Sequence, residues 1–141
     1  MSPKKIIASA IAENRGEIYK TELKISQHLL IADEPAAAGG KDEGPAPGDY
    51  LCMSLASCKA ITLRMYAQRK NWKVDLIKIS VHLVKGSETE TGNNTFFCEI
   101  EIKGDITDEQ KNRMMEIAKA CPLDKLLRRP NDIVSVLEKD E

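Results

Sequence analysis

Four cysteines stand in this chain, and two of them have surroundings that could do chemistry. Cys58 lies inside the almost uninterrupted apolar stretch Tyr50 to Met65, and Cys121 stands immediately before Pro122, at the end of a patterned helical segment. The two are 63 residues apart, so neither owes its place to the other's local structure. A thiol set into a buried helix, with a second at a helix boundary, is what a dithiol redox reaction needs; an ordinary core can also hold both. Reactivity requires thiolate, and apolar burial raises a thiol pKa, so a catalytic Cys58 needs a cation or donated hydrogen bonds. Lys59 and Arg64 are near in sequence, but helical geometry does not aim them at the sulfur. Cys121 is better placed. If Leu123 to Arg128 is helical, Pro122 falls in its first turn and Cys121 at its cap, where free N–H groups and a partial positive charge lower a thiol pKa. Cys98 falls on the inner face of a predicted strand and Cys52 on another side of the Cys58 helix, and both read as packing residues. His28 and His82 fall on polar strand faces and read as surface histidines, with no cysteine–histidine dyad in view.

The 141 residues make one domain of ordinary size, 1–141. The chain is 42% hydrophobic but only 4% aromatic, so its core must rely on Leu, Ile, Val, Ala and Met. A net charge of −1, with both signs interspersed, gives no electrostatic case for nucleic acid or an anionic membrane. No apolar run is long enough to span a bilayer, and Ile6 to Ala12 is too short for a secretory h-region, so a cytoplasmic location is expected. Four irregularly spaced cysteines do not suggest a disulfide scaffold. Without Cys-x-x-Cys and with two histidines, no metal site is expected. Gly39-Gly40 and Gly44 form no phosphate loop, since no Lys-Ser/Thr follows them, and no cofactor is expected.

The elements that must position the thiols follow from periodicity. Lys4 to Asn14 alternates, Asn14-Arg15-Gly16 is a turn signal, and Glu17 to Ala32 alternates again, which predicts an antiparallel hairpin. Asp33 to Gly48, rich in Pro and Gly, is a loop. Pro47 to Arg69 is predicted helical, with Pro47 at its start and Lys70-Asn71 at its end. From Leu51 to Leu63 its only charge is Lys59, which predicts burial on nearly all sides. Val74 to Val84 and Thr95 to Lys103 read as strands, the second with Phe96, Cys98, Ile100 and Ile102 facing inward. Thr107 and Gln110 form a capping box for a helix presenting Met114, Ile117, Ala118 and Cys121. Leu123 to Arg128 is a short helix, and Asn131 to Glu138 a closing strand. The class is α+β with antiparallel sheets. Because one small sheet cannot cover a helix buried on several sides, a second subunit is expected to do so.

Gly44-Pro45-Ala46-Pro47-Gly48-Asp49-Tyr50-Leu51, followed by Leu55-Ala56-Ser57-Cys58 and a helix ending near Asn71-Trp72, resembles the OsmC/Ohr family of osmotically inducible and organic hydroperoxide resistance proteins. Cys121-Pro122 after an Ala-rich helix matches that family's second motif, and the order of elements fits along essentially the whole chain. The resemblance implies an OsmC-like fold, with antiparallel sheets packed around a long central helix, in an intertwined homodimer. It implies a thiol-dependent peroxidase that prefers organic hydroperoxides, with Cys58 as peroxidatic and Cys121 as resolving cysteine. An external dithiol, often a lipoylated protein, would restore the pair. The best-studied members pair a Glu ten residues before the peroxidatic cysteine with an upstream Arg; here that position is Gly48, beside Asp49, and the upstream loop offers Lys41 and Glu43 but no Arg. The sequence is closer to a branch without the Arg–Glu pair. Candidates for supporting the thiolate are Asp49, Glu43, Lys41 and Arg15, with Arg64, Arg128 and Arg129 as further cations. Leu51, Met53 and Leu55 are expected to line a pocket for an apolar peroxide tail, bordered by the Asp33 to Gly48 loop.

Two other readings remain at this point. One is a non-catalytic binding or stress protein of the same family, with the cysteines as core residues. The other is a hot-dog-type thioesterase, which needs a carboxylate general base near the helix, with Asp49 the obvious candidate.

Overall fold

The computed structural model describes residues 4–139, and the chain divides into two compact units, residues 1–51 and 52–141. In the first unit, three strands, β1 (Ile11–Glu13), β2 (Thr21–Ile25) and β3 (His28–Ala32), form an antiparallel meander. Asn14 builds the first turn: its amide donates to the carbonyls of Ile18 and Lys20, and Gly16 takes φ 93. The alternating run from Glu17 to Ala32 is not one strand. It folds back at Ser26-Gln27, pairing Ile25 with His28. Ser26 enters the left-handed region at φ 52 without the Asn or Gly that usually marks such a turn. The alternation carries through the two-residue turn, which is why the sequence hides it.

The loop after β3 is organised by one carboxylate. Asp33 is buried and accepts the backbone N–H groups of Glu34 at 2.8 Å and Glu43 at 3.1 Å. It leads into α1 (Pro47–Lys70), which straddles the two units. Asp49 accepts from the Ala46 N–H at 3.1 Å, satisfying a donor at the helix entrance. The far end is a Schellman motif: Trp72 N–H reaches the Ala67 carbonyl, Asn71 N–H reaches Gln68, and Asn71 sits at φ 57.

In the second unit, β4 (Lys73–Val84) and β5 (Thr95–Asp105) pair antiparallel, with a bulge between Val74 and Leu76. A capping box with both hydrogen bonds in place opens α2 (Asp108–Ala118), and α3 (Pro122–Arg128) follows after a three-residue connector. Leu63, Tyr66 and Ala67 of α1, Val74, Ile102, and Met114 and Ala118 of α2 form the core. On β5, Phe96, Cys98 and Ile100 are half-buried and Ile102 buried, while the residues between them are exposed, as the alternation predicts.

Two expectations need correcting. α1 is not buried all round within the chain: Leu55, Lys59, Leu63, Tyr66 and Ala67 form a single buried stripe, while Ile61 and Met65 are more than half exposed. Asn131 to Glu138 is not a strand in this chain, and Ile133, Val134, Val136 and Leu137 are each at least 85% exposed. Its β-branched residues supply strand propensity, but among the described residues no neighbouring strand edge pairs with it. Among the described residues, no helix is long and apolar enough to cross a membrane.

Candidate active site

The second unit brings together the two thiols that lie 63 residues apart in sequence. Cys58 is close enough to Cys121 to act on its thiol. Their environments differ. Cys58 is half-buried on α1, whereas Cys121 is fully buried. Cys121 is the N-cap of α3, with Pro122 in the first helical turn, as the sequence predicts. The N–H groups of Asp124 and Leu123 face its sulfur closely enough to favour thiolate, although neither makes a full cap hydrogen bond. The expected net effect of that helix end is nonetheless reversed. Burial pushes the Cys121 thiol up, the neighbouring Cys58 adds to the rise, and the two N–H groups offset only part of it. A helix as short as α3 cannot outweigh complete desolvation of the thiolate.

Beside the thiols lies an ion cluster that sequence reading missed. Lys59, the lone charge of the apolar stretch, points inward: its ammonium donates to Asp124 Oδ2 at 2.6 Å and to the Ala118 carbonyl at 2.9 Å. Arg128, one turn further along α3, donates through Nε to Asp124 Oδ1. The Lys59 and Asp124 side chains are only 5% and 9% exposed, while that of Arg128 is 71% exposed. Burial acts to raise the Asp124 pKa, but its hydrogen bonds to Arg128 and Lys59, with their charges, hold it below the usual carboxylate range. Removing one member of such a buried pair leaves an uncompensated charge and costs about 3–5 kcal/mol; the exposed Arg128 contact contributes less than about 1 kcal/mol. A signal was available. A single Lys at the spacing Leu55, Lys59, Leu63 sits on the buried stripe, and a buried charge requires a partner.

The cluster borders a cavity of about 710 Å³, whose lining includes Leu55, Lys59, Phe96, Cys98, Asp124 and Arg128. Its size is that of a small-molecule pocket. Cys98 is half-buried there, and burial raises its thiol pKa. Of the three residues expected to line a peroxide pocket, Leu55 is buried at this cavity, whereas Leu51 and Met53 are 41% and 44% exposed.

The expected supporting residues of the first unit have local roles there. Arg15 pairs with Glu13 at 2.7 Å, Glu43 with Lys20 at 3.6 Å, and Asp49 caps the α1 entrance. The Lys41 N–H faces the Asp33 carboxylate. In the second unit, Arg64 donates to the Val74 carbonyl at 2.7 Å and ties α1 to β4.

The chain is thus of the mixed α+β class, with antiparallel sheets and a long helix. The family follows from comparison: the OsmC-like protein family's model matches residues 40–135, and the chain belongs to that family. No sequence among the curated proteins matches significantly. Several solved structures share the fold. A putative osmotic stress induced and detoxification response protein from Psychrobacter arcticus is 20% identical with a TM-score of 0.69, over 87% of this chain and 90% of that one. An OsmC-like protein from Mycoplasma pneumoniae is 17% identical with a TM-score of 0.66, over 90% and 89%. The organic hydroperoxide resistance protein OhrB of Bacillus subtilis is 22% identical with a TM-score of 0.59, over 87% and 91%. The family model establishes the family, and these neighbours establish that the chain shares their fold.

Proposed function

We propose that this chain is a single OsmC-like domain acting as a thiol-dependent peroxidase, which reduces organic hydroperoxides through a Cys58–Cys121 dithiol/disulfide cycle. The observation that carries the reading is the pairing of a reachable thiol with a fully buried one that it lies close enough to influence. Accessibility divides the roles. A hydroperoxide can approach the half-buried Cys58 but not Cys121.

The Cys58 thiolate attacks the terminal peroxide oxygen, the O–O bond breaks, and the alkoxide leaves as alcohol after taking a proton. Cys58 is then a sulfenic acid, two electrons oxidised. The Cys121 sulfur attacks that sulfur; an S–S bond forms, the S–O bond breaks, and the leaving hydroxide is protonated to water. An external dithiol, for which a lipoylated protein is suitable, returns both thiols by exchange. The active species is a homodimer located in the cytoplasm.

The test is intact mass and free-thiol count before and after one equivalent of cumene hydroperoxide, followed by peptide mapping. Loss of two thiols to a Cys58–Cys121 disulfide, abolished turnover in Cys58→Ser, and sulfenic acid on Cys58 in Cys121→Ser are expected. Four thiols remaining free would sink the reading and favour a binding protein or a thioesterase.

A further inference from the structure

The buried ammonium of Lys59 has more work than balancing a carboxylate. It contacts both sides of the three-residue connector, Lys119 to Cys121, that joins α2 to α3. Before the connector it holds the carbonyl of Ala118, the last residue of α2; beyond it, it holds the carboxylate of Asp124 in the first turn of α3. The carbonyl is one of those a helix end leaves without an internal partner, and it carries partial negative charge. Asp124 acts twice, since its side chain takes the ammonium while its backbone N–H faces the Cys121 sulfur. Arg128 occupies the other carboxylate oxygen, so Asp124 has little freedom to turn away. Lys59 itself directly follows Cys58 on α1.

We infer that Lys59 and Asp124 are positioning residues for the second half of the cycle: together they clamp the connector onto α1 and hold the Cys121 sulfur against Cys58. This rests on the reading that these two thiols form the disulfide. Condensation of Cys58 sulfenic acid with Cys121 is a step between two groups on one chain, and its rate scales with how often the sulfurs meet in line. The clamp fixes that frequency through two anchors at the borders of the segment carrying Cys121. It exchanges no proton with substrate and touches no reacting atom.

The experiment measures the effective molarity of the Cys58–Cys121 pair in glutathione redox buffers, on a Cys52→Ser/Cys98→Ser background. The parent is compared with Lys59→Met/Asp124→Leu, which removes both buried charges together, and with Asp124→Asn, which keeps the shape. Circular dichroism establishes that each variant is folded at the measuring temperature. Iodoacetamide alkylation of Cys58 serves as the control that only a positioning role leaves unchanged. A fall in effective molarity of at least ~10-fold with unaltered Cys58 alkylation is the expected result. An effective molarity in either folded variant within about twofold of the parent would overturn the clamp, as would a parent that forms no such disulfide at any glutathione ratio. Because glutathione disulfide is the oxidant, a protein that passes this test but ignores hydroperoxides would refute the peroxidase reading alone.

Discussion

At the scale of single residues, Cys121 sets the pH behaviour of the cycle. Its burial and its Cys58 neighbour raise its pKa, so it is protonated across the neutral range. Attack by Cys121 requires thiolate, and the thiolate fraction grows about tenfold per pH unit until the raised pKa is reached. Disulfide formation after a single hydroperoxide pulse should therefore accelerate about tenfold per unit from pH 6 to 8.5, as read by stopped flow; a flat profile would count against a protonated Cys121. The same shift carries a stability sign. A folded pKa above the unfolded value stabilises the reduced protein below about pH 8.5, and that contribution is lost as pH rises through the folded pKa. The sequence placed Cys121 at its cap correctly but reversed the direction of its shift. A cap is local and visible in Pro122, whereas complete burial depends on α1, which is distant in sequence. Lys59 failed for the same reason. Its partner Asp124 lies 65 residues away, and nothing local to Lys59 names it.

Among the elements, the second sheet shows how closely backbone geometry is specified. At the β4 bulge, Gly104 lies against Val74, and a Cβ there would meet the Lys73 carbonyl oxygen at 2.2 Å and the Val74 Cα at 2.8 Å. Neither backbone atom can swing aside, so Gly104→Ala should destabilise by about 1–3 kcal/mol in urea unfolding. In contrast, Gly48 lies within α1 with nothing inside 4 Å of its missing Cβ, and Gly48→Ala should stabilise by up to ~1 kcal/mol. If both substitutions proved neutral, the packing at the bulge would be looser than described. Helix limits were the most legible part of the chain, because Pro47, Asn71, Thr107 and Gln110 act locally through caps. The limits of β4 and β5 fell within two residues of the expected ones, whereas two other strand readings failed. The Ser26-Gln27 turn keeps the alternating pattern, and the 131–138 segment has strand composition without a strand to pair with.

For the whole molecule, the exposed apolar residues bear on the proposed homodimer. Ile61 and Met65 lie one turn apart on α1, 54% and 64% exposed, off the buried stripe of that helix. In the proposed homodimer, this is a face that a partner subunit would cover. The protein should run in light-scattering chromatography at twice the chain mass, and Ile61→Glu/Met65→Glu should shift it to the monomer. Unchanged mass in that variant would place the contact elsewhere. The sequence-based expectation of a second subunit rested on the nearly uninterrupted apolar run of α1, of which the core of one chain uses only one side.

The end of α1 offers a different kind of handle. Trp72 is the sole tryptophan of the chain, half-buried at the Schellman cap, with its ring edge-on to Tyr66 at 5.4 Å. Its neighbour Tyr66 stands eight residues beyond Cys58, about 12 Å along α1. An indole beside Tyr66 is too far along the helix to be quenched by contact with the Cys58 sulfur. Its emission therefore reports the integrity of the core without responding directly to thiol oxidation, so every redox titration of this protein carries an internal optical record of whether the chain is still folded.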